Sequence, residues 1–403
     1  MFEIKTLIEF FDDNQLNNVV ASLRMKPSRI VFVGYDALMS PGKISAIEKM
    51  FAMKNMKVEI EYCEIGRYDF DDIVNKLETI ISENEDCCFD LTGGKELALA
   101  AMGYIAGKHT IPMVQFNVRS GKFIRVKNSE NIPEPPGATL SVKESIVLGG
   151  GAILENEPGD VTWDFNDEFI RDVNTMWEIC REKCSLWNKQ SNVFYSFEEW
   201  GRVTDLSVYA DLNAMERRGA EIMMHRSIIE PLCDNGIIRD YSLNDGILTF
   251  RYKNRQIKRC LTKAGNILEL YCFVLAREIN GNEQSGFTDA DIGVHIDWDG
   301  DVLSGQSVKN EVDLMLMKGF IPVFVSCKNG EVHKEALYEL SAVADEFGGE
   351  YAKKVLVATY ISRDSESKKH FLRRAAEMGI KVIADADTLN RREFIRELKN
   401  KTE

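Results

Sequence analysis

The chain has 403 residues, a formal net charge of −14, a hydrophobic fraction of 44% and a charged fraction of 28%. This is the composition of a water-soluble globular protein, and the length is enough for two or three domains with their own cores. The acidic balance disfavours proteins that grip long duplex nucleic acid by its backbone. It permits a local groove for short single strands.

Nothing in the sequence predicts a membrane protein or a secreted one. No apolar run approaches the roughly 18 residues of a spanning helix, and residues 1–15 mix acids into their apolar positions instead of forming a secretory signal. The nine cysteines lack paired spacings, which is typical of thiols in a reducing compartment. We therefore expect a cytoplasmic protein.

After an initial segment, residues 29–118 alternate between strand and helix patterns. The predicted strands are 29–34, 57–63, 87–91 and 112–118, and the predicted helices are 43–53, 70–81 and 96–107. Such alternation is typical of a parallel sheet covered by helices on both faces. Ligands of these folds bind beyond the carboxyl ends of the strands.

Two loops lie at that predicted edge. The second of them, residues 90–96 (Asp-Leu-Thr-Gly-Gly-Lys-Glu), runs directly from strand to helix, so its glycines let backbone N–H groups approach a phosphate at the positive end of the helix. The alternative is a tight connection that uses glycine only for its turn. The GxxxxGK(S/T) spacing of a P-loop is missing, which disfavours nucleoside-triphosphate hydrolysis. The candidate ligand contacts are Tyr35, Asp36 and Ser40 in the first loop and Thr92, Gly93, Gly94 and Lys95 in the second.

The middle of the chain is less regular. Residues 131–137, Asn-Ile-Pro-Glu-Pro-Pro-Gly, break the alternation and predict the exit from the first domain. The patterns then predict a short capped helix over 141–149, longer helices over 164–183 and 216–232, and a β meander over 236–261. Core, connector and dimer contact remain open as roles for the two longer helices.

From Thr262 onward the pattern returns to an α/β unit. A helix is predicted to begin with Thr262 as its N-cap. A strand over 291–299 and a hairpin over 310–328 follow. Helices and strands then alternate to the end of the chain, at 335–347, 354–359, 367–378 and 381–384, before a last helix.

The hairpin carries the clearest chemistry. Its first strand alternates between one set of residues, Val312, Leu314 and Leu316, and another, Asp313, Met315 and Met317. Lys318-Gly319 forms the turn, and the apolar run 322–325 leads into Ser326-Cys327-Lys328. We therefore expect Asp313 and Lys328 to lie close together. Such a pair suits metal-dependent phosphodiester cleavage, because the carboxylate holds a divalent cation and the ammonium group steers or deprotonates the attacking water.

Two further carboxylates are candidates for the same site, and the sequence does not choose between them. Glu311 lies two residues before Asp313, so strand alternation predicts both on one face. Glu269 lies in the helix that Thr262 is predicted to begin. The alternative is that these are ordinary solvated charges around a strand.

The hairpin resembles the PD-(D/E)xK nuclease superfamily. Asp313 matches the first acid of the motif, Lys328 matches its lysine, and Glu269 resembles the glutamate of the leading helix. Ser326 stands where the family usually carries Asp or Glu, which leaves the second metal ligand open between Glu311 and Glu269. The backbone carbonyl of Cys327 is a further candidate metal ligand.

The strand-D-x-T-G-G-K-helix run resembles the CARF domain, the Rossmann-like sensor of cyclic oligoadenylates in type III CRISPR defence. The hairpin segments N-E-V-D (310–313) and S-C-K-N-G (326–330) are similar to the corresponding segments of the CRISPR ancillary nucleases with a single CARF domain. This resemblance implies an α/β chain with a CARF domain over 1–140, a helical and β connector over 141–261 and a restriction-endonuclease-like PD-(D/E)xK domain over 262–403.

The same resemblance implies a function. Two CARF domains of a homodimer would share one cyclic oligoadenylate, expected to be cyclic tetra-adenylate, through the loop at 92–95 and the loop at 34–40. Binding would then activate both nuclease domains to cut single-stranded RNA or single-stranded DNA, or to nick supercoiled DNA. The implied cofactor is Mn²⁺ or Mg²⁺, and the implied catalytic and metal-binding residues are Asp313, Glu311, Glu269, Lys328 and Cys327.

Three rival functions remain open from the sequence. A CARF-type binding module with an inactive nuclease-like domain is made conceivable by Ser326. A ring nuclease would degrade its own activator at the CARF site. A restriction-like or repair nuclease would need no activator.

Overall fold

The computed structural model describes residues 4–154, 162–220, 222–282, 286–300 and 309–403. Its amino-terminal sheet has the strand order β3-β2-β1-β4-β5-β6, in which β6 pairs antiparallel to β5 and the other pairs are parallel. The strands are β1 (Thr6–Phe10), β2 (Arg29–Gly34), β3 (Glu59–Glu64), β4 (Cys87–Asp90), β5 (Met113–Asn117) and β6 (Lys122–Lys127). The helices are α1 (Val20–Met25), α2 (Pro41–Met53), α3 (Phe70–Glu83) and α4 (Glu96–His109).

The alternating pattern predicted over 29–118 is confirmed, but the initial segment contains the central strand that the sequence analysis missed. β1 pairs with both β2 and β4. β1 is buried along its whole length, but Glu9 interrupts the apolar run that would identify a buried strand in the sequence. Glu9 accepts a hydrogen bond from the Ser22 hydroxyl, and burial raises its pKa well above the usual range.

The middle of the chain forms a helical and β unit. Its helices are α5 (Val142–Leu148), α6 (Asp167–Glu182), α7 (Cys184–Trp200), α8 (Leu212–Arg217), α9 (Arg226–Asp234) and α10 (Arg255–Thr262). Its strands are β7 (Ala152–Ile153), β8 (Arg202–Thr204), β9 (Ser207–Asp211), β10 (Ile238–Asn244) and β11 (Ile247–Tyr252). The last four form an antiparallel sheet in the order β10-β11-β9-β8.

The short capped helix at 141–149 is confirmed as α5, where Ser141 and Glu144 form a capping box. The single helix predicted over 216–232 is wrong, because α8 ends at Arg217 and Gly219 follows with a φ of +97°. The predicted meander ends at Tyr252 instead of continuing to 261. Asn254 caps α10 by accepting the N–H of Ile257.

The carboxyl-terminal sheet has the order β16-β15-β14-β13-β12-β7, with β14, β15 and β16 parallel. Its strands are β12 (Asp289–Asp297), β13 (Lys309–Lys318), β14 (Ile321–Glu331), β15 (Lys353–Tyr360) and β16 (Ile380–Ile383). Its helices are α11 (Asn266–Asn282), α12 (Glu335–Gly348), α13 (Ser365–Glu377) and α14 (Arg391–Thr402). The predicted hairpin is β13 and β14. Thr262 is not the N-cap of α11 as predicted, because it is the last residue of α10.

Three apolar cores hold these layers together. The outer core of the amino-terminal domain, represented by Ile8, Leu77 and Ala101, lies on one face of the amino-terminal sheet. The interdomain core joins residues of both large sheets through α5 and includes Phe11, Val142, Ile146, Phe324 and Phe347. The connector-side core lies on the other face of the carboxyl-terminal sheet and includes Trp177, Tyr252, Tyr271, Val325 and Phe394. Among the residues described, no helix combines the length and apolarity needed to cross a membrane.

Candidate functional site

The regular alternation of β13 breaks at Asp313. Leu314 packs in the connector-side core, whereas Val312, two residues earlier, packs in the interdomain core. Residues two apart in a regular strand share a face, so the strand changes face between them. The partner strand β12 contains Gly293 at this level, with a φ of +63°, between the pairs Ile292–Leu314 and Val294–Val312. This local irregularity separates Asp313 from the methionines that it was predicted to accompany.

Asp313 is held by donors from β14. Its Oδ2 accepts the N–H of Cys327 at 2.7 Å, the hydroxyl of Ser326 at 3.1 Å and the ammonium group of Lys328 at 3.4 Å. The ladder between β13 and β14 has its last pair at Leu314 and Val325, so these donors reach the carboxylate where the two strands separate. Asp313 and Lys328 are therefore brought together, as expected from the hairpin.

Ser326 belongs to the site because its side chain contacts Asp313. Its hydroxyl donates to the carboxylate, whereas an acid at this position would place a second negative charge beside Asp313. Serine at 326 therefore adds a hydrogen bond to Asp313, the first acid of the motif. It also leaves the hairpin with one acid fewer than the usual motif has.

Lys328 is an ammonium ion in this arrangement. Burial favours the neutral amine, but the charge of Asp313 and its hydrogen bond outweigh that effect, so the pKa of Lys328 is raised. A lysine with a raised pKa is a poor proton acceptor near neutral pH. This favours the steering role for Lys328 over the deprotonating role.

Glu269, on α11, is the buried acid of the site. Its side chain is 8% exposed, and burial followed by the charge of Asp313 raises its pKa to about 7. Glu311 raises the Glu269 pKa further, while Lys263 and Lys328 lower it. All three acids that were candidates from the sequence therefore lie within electrostatic reach of one another. Glu311 is the most exposed of them, at 40%, and its Oε1 lies 3.4 Å from Nζ of Lys263.

The donor set fits a hard divalent cation. Carboxylate and carbonyl oxygens are the ligands of Mg²⁺ and Mn²⁺, and Mg²⁺ is commonly bound by only one or two carboxylates with water in the other positions. Two neighbouring carboxylates, one of them buried with a raised pKa, form an arrangement that a cation would stabilise. Over the described ranges, no three His, Cys, Asp or Glu side chains are grouped closely enough to hold a metal ion together, so Asp313, Glu269 and Glu311 do not form a three-ligand set in this arrangement.

Asn329, the residue after Lys328, ties the active-site strand to its surroundings. Its side-chain amide donates to Oδ1 of Asn188 at 3.0 Å and to the carbonyl of Ala264 at 3.2 Å, and its Oδ1 accepts the hydroxyl of Thr359 at 3.2 Å. Nδ2 of Asn188 donates back to the carbonyl of Asn329 at 2.6 Å. The network thus joins β14 to α7, to β15 and to the loop that precedes the Glu269 helix. The sequence analysis missed Asn188 and Thr359, for which no motif gives a signal.

The predicted ligand loops lie on a large cleft of about 1130 Å³ between the amino-terminal sheet and the carboxyl-terminal unit. The residues that line it include Ser40, Thr92, Gly93, Gly94 and Lys95, together with Phe347 and Tyr351. The other two predicted contacts lie elsewhere. Tyr35 is buried, with its ring 5.3 Å from that of Phe10, and Asp36 is exposed.

The Thr92 hydroxyl is already used inside the loop. It donates to Oδ1 of Asp90 at 2.6 Å and accepts the N–H of Phe116 at 2.9 Å. A hydroxyl has one proton, so Thr92 has none left for a phosphate oxygen. Burial raises the pKa of Asp90, the acceptor of that proton, to about 7 against the opposing effect of the Thr92 hydrogen bonds. With both bonds formed, the Thr92 hydroxyl stabilises the turn.

The anion at the Gly-Gly turn is Asp12. Its Oδ2 accepts the N–H of Gly94 at 2.8 Å, and a Cβ built on Gly93 would lie 2.9 Å from Cβ of Asp12. Glycine at 93 is therefore required by the approach of Asp12. The sequence analysis missed Asp12 because it missed β1, whose carboxyl end places residues 11–19 at the ligand edge of the sheet.

Residues 255–402 match the family model of the Card1-like endonuclease domain. No curated protein sequence gives a significant match. Protein VC1899 from Vibrio cholerae superposes with a TM-score of 0.73 at 15% identity, over 98% of this chain and 96% of that one. Can2 from Sulfobacillus thermosulfidooxidans, solved in complex with cyclic tetra-adenylate, superposes with a TM-score of 0.69 at 15% identity, over 98% of this chain and 99% of that one.

These matches confirm the fold class and the resemblance drawn from the sequence. The two structural superpositions extend over nearly the whole chain, so the overall fold is shared with both proteins. The family match falls on the part of the chain that contains Glu269, Asp313 and Lys328.

The raised pKa of Glu269 predicts a pH-dependent stability. The folded value of about 7 lies above the ordinary value of 4.5, so the ionised form destabilises the fold and stability is lost as the pH rises from about 4.5 to about 7. Glu269→Gln removes this penalty. In the presence of a chelator it should raise the free energy of unfolding by about 3 kcal/mol at pH 8 and by much less at pH 5.

Urea unfolding at both pH values measures this difference. Glu339→Gln, a change of an exposed glutamate on α12, is the matched control and should show no such pH-dependent gain. A Glu269→Gln variant that is equally stabilised, or destabilised, at both pH values would contradict the buried, proton-binding state of Glu269.

The Asn329 network predicts a coupled loss of stability and cleavage. Asn329→Ala removes the side-chain hydrogen bonds to Oδ1 of Asn188, the carbonyl of Ala264 and the hydroxyl of Thr359, although the main-chain carbonyl at 329 still accepts Nδ2 of Asn188. The free energy of unfolding should therefore fall by about 1–3 kcal/mol. The cleavage rate should also fall, because the strand that carries Lys328 is no longer tied to the loop before Glu269. Asn235→Ala removes an exposed asparagine that bonds to its own helix, and it should change neither quantity appreciably. Full cleavage by a destabilised Asn329→Ala protein would confine this network to a structural role.

Proposed function

We propose that this chain, which carries a Card1-like endonuclease domain at residues 255–402 and resembles the CRISPR ancillary nucleases along its length, is a metal-dependent nuclease activated by a cyclic oligoadenylate in type III CRISPR defence. It cuts single-stranded RNA or single-stranded DNA, or nicks supercoiled DNA, in the cytoplasm. The observation that carries the proposal is the convergence of Asp313, Lys328 and Glu269 where β13 and β14 separate, inside a domain of an endonuclease family.

In this mechanism the residues of the chain hold and orient the reactants. Asp313 and Glu269 would hold the cation, with Glu311 and the Cys327 carbonyl as further oxygen donors. When bound there, the cation would neutralise charge on the scissile phosphate and activate water. The N–H of Cys327 and the hydroxyl of Ser326 fix the Asp313 carboxylate, and the ammonium group of Lys328 orients the attacking water beside the phosphate.

The ligand of the amino-terminal domain is proposed to be a cyclic oligoadenylate, and the solved complex of Can2 supports cyclic tetra-adenylate. The cleft that contains Ser40, Gly93, Gly94 and Lys95 is lined by residues of both large domains, so a ligand bound there contacts both. A homodimer in which two such domains share one ring completes the proposal. A near-complete switch requires the ligand to prefer the cutting state by about 5.5 kcal/mol.

Ser326 gives the second candidate function, a CARF-type nucleotide-binding module whose nuclease-like domain is inactive. The hairpin has one acid fewer than the usual motif, and Glu269 must supply the missing carboxylate. Because Glu269 is buried beside Asp313, the active nuclease is the better supported of the two. Tight binding of cyclic tetra-adenylate without cleavage of any nucleic acid would establish the inactive module instead.

Asp313→Asn tests the nuclease. It keeps the size of the side chain and removes the charge that holds the cation, so cleavage of labelled single-stranded RNA, single-stranded DNA and plasmid DNA with Mn²⁺ should fall by about 100-fold or more. Binding of cyclic tetra-adenylate, measured by calorimetry, should not change. Glu269→Gln and Glu311→Gln, measured in parallel, assign the second ligand to the variant with the larger loss.

The matched control is Asp364→Asn, which changes an exposed helix-capping carboxylate outside this site. It should retain cleavage. If folded Asp313→Asn protein cuts at the wild-type rate, Asp313 is not a metal ligand. Cleavage by wild type that needs no cyclic ligand would favour an activator-independent nuclease, and linearised cyclic ligand in the Asp313→Asn reaction would reveal a ring nuclease.

Lys95→Ala tests the ligand site. Lys95 lines the cleft as the exposed residue that precedes α4, and removal of its charge should weaken the attraction for an anionic ligand. The activator concentration for half-maximal cleavage should rise by about tenfold, an effect of about 1.4 kcal/mol. The maximal rate should be unchanged. Lys122→Ala, on the exposed edge strand β6, is the control. An unchanged activator dependence in Lys95→Ala would remove Lys95 from the site.

A further inference from the structure

The β1–α1 loop, residues 11–19, touches both the ligand turn and the nuclease domain. Near its start, Oδ2 of Asp12 accepts the N–H of Gly94 at 2.8 Å. Five residues later, Oδ1 of Asn17 accepts the hydroxyl of Tyr351 at 3.0 Å. Tyr351 lies in the 3₁₀ turn Gly349–Tyr351, directly before β15. A single short loop therefore connects the sensor turn to the nuclease sheet.

Hydrogen bonds within the loop connect its residues to one another. Oδ1 of Asp12 accepts the N–H of Asn14 at 2.9 Å. The Asn18 side chain accepts the N–H of Asp12 at 2.7 Å and donates to its carbonyl at 3.0 Å, and Asn18 is fully buried. Departure of the Asp12 carboxylate from Gly94 strains or breaks its bond to the N–H of Asn14, while Asn18 ties the main chain of Asp12 to the segment that carries Asn17.

The position of Asp12 is that of an anion at a phosphate-binding turn. The N–H of Gly94 lies between β4 and α4, where backbone donors and the helix dipole favour a negative group. Gly93 has no side chain, and the place of its Cβ is taken by Asp12 and Asn17, whose Cβ atoms would lie 2.9 Å and 3.0 Å away. The neighbouring acid, Asp13, instead points to Lys43, with 2.5 Å between Oδ1 and Nζ.

We propose that Asp12 is an internal anion that occupies the ligand turn in the resting protein and sets its affinity for ligand. A phosphate group of an anionic nucleotide replaces the Asp12 carboxylate at the N–H of Gly94. The displaced loop then changes the contact between Asn17 and Tyr351. The inference rests on the proposed function, because it takes the Gly93-Gly94 turn as the place of a ligand phosphate.

Two physical effects make the replacement a competition. A carboxylate and a phosphate oxygen cannot both occupy the position in front of one N–H, and two negative groups in contact repel each other. The apparent dissociation constant is the intrinsic one divided by the fraction of molecules in which Asp12 has left the turn. Removal of the Asp12 charge therefore raises affinity, although it removes a hydrogen bond from the resting protein.

Tyr351 connects the β1–α1 loop to the carboxyl-terminal sheet. Its ring lies 5.8 Å from the guanidinium carbon of Arg119, so the sensor holds Tyr351 from two sides. The strand that it precedes, β15, pairs with β14 at Cys327 and Lys328. A shift of Tyr351 is transmitted through this pairing to the strand that carries the active-site lysine.

The experiment measures binding and activation separately in the full-length protein. Calorimetry with cyclic tetra-adenylate gives the dissociation constants of wild type, Asp12→Asn and Asp13→Asn. We expect Asp12→Asn to bind about fivefold more tightly or better, the lower end of common coupling effects. Asp13→Asn removes the same charge one residue away without the Gly94 contact, and its gain should be smaller. Equal gains in the two variants, or none in Asp12→Asn, would overturn the inference.

Tyr351→Phe tests the relay without touching the turn. It deletes one hydroxyl, and we expect ligand binding to persist while the ratio of cleavage rates with and without saturating ligand falls. An unchanged ratio would overturn the relay through Asn17. If Asp12→Asn fails to fold, Asp12→Ser takes its place in the calorimetry, because it also removes the charge and keeps an oxygen near the N–H of Gly94.

The design distinguishes this inference from the function on which it rests. If wild type binds cyclic tetra-adenylate or cyclic hexa-adenylate and is activated by it, but Asp12→Asn gains no affinity, the role of Asp12 alone is wrong. If wild type binds neither ring, the proposed activator and the role of Asp12 fail together.

Discussion

The candidate site depends on the change of face at Asp313. A strand that kept its alternation would direct this residue with Met315 and Met317 into the interdomain core, where an ionised carboxylate has no solvent and no partner. The irregularity, matched by the positive φ of Gly293 on β12, instead brings Asp313 to the point where β13 and β14 separate. There three donors from β14 satisfy it, and the helix that carries Glu269 covers it.

The same burial that completes the site gives its acids different properties. Glu269 lies deep in the site with a pKa of about 7, whereas Glu311 is partly exposed and pairs with Lys263. Lys328 remains protonated because Asp313 outweighs the cost of burying its charge. The proposed substrate phosphate would meet one ammonium group and several carboxylates here, and carboxylates repel a phosphate unless a cation lies between them. The proposed metal ion would therefore offset a repulsion that the acids of the site create.

The sequence predicted elements wherever the local pattern and the local environment agreed. The hairpin, the Gly-Gly turn and the alternating strands of residues 29–118 follow from period-two alternation and turn residues, and all were found as expected. Asp313 and Lys328 were correctly expected to lie close together because the tight turn places the far ends of the two strands side by side, just beyond the last pair of the ladder, Leu314 and Val325. β1 was missed because Glu9 is a buried acid stabilised by Ser22, a long-range contact that no window of sequence contains. Missing β1 also concealed Asp12, and the role of Thr92 as a brace depends on Phe116, which is 24 residues away.

The interdomain core has a practical consequence for how this chain can be taken apart. Its members come from the amino-terminal sheet, from α5 and from the carboxyl-terminal sheet, and they include Phe11, Val142 and Phe324. A fragment that stops at residue 140 would present to water the apolar surface that α5 and the far sheet now cover, and such surfaces drive aggregation. The nuclease half cut free at residue 262 would in addition lose β7 from the edge of its sheet. The two proposed activities should therefore be separated by point substitutions in the intact chain and not by truncation.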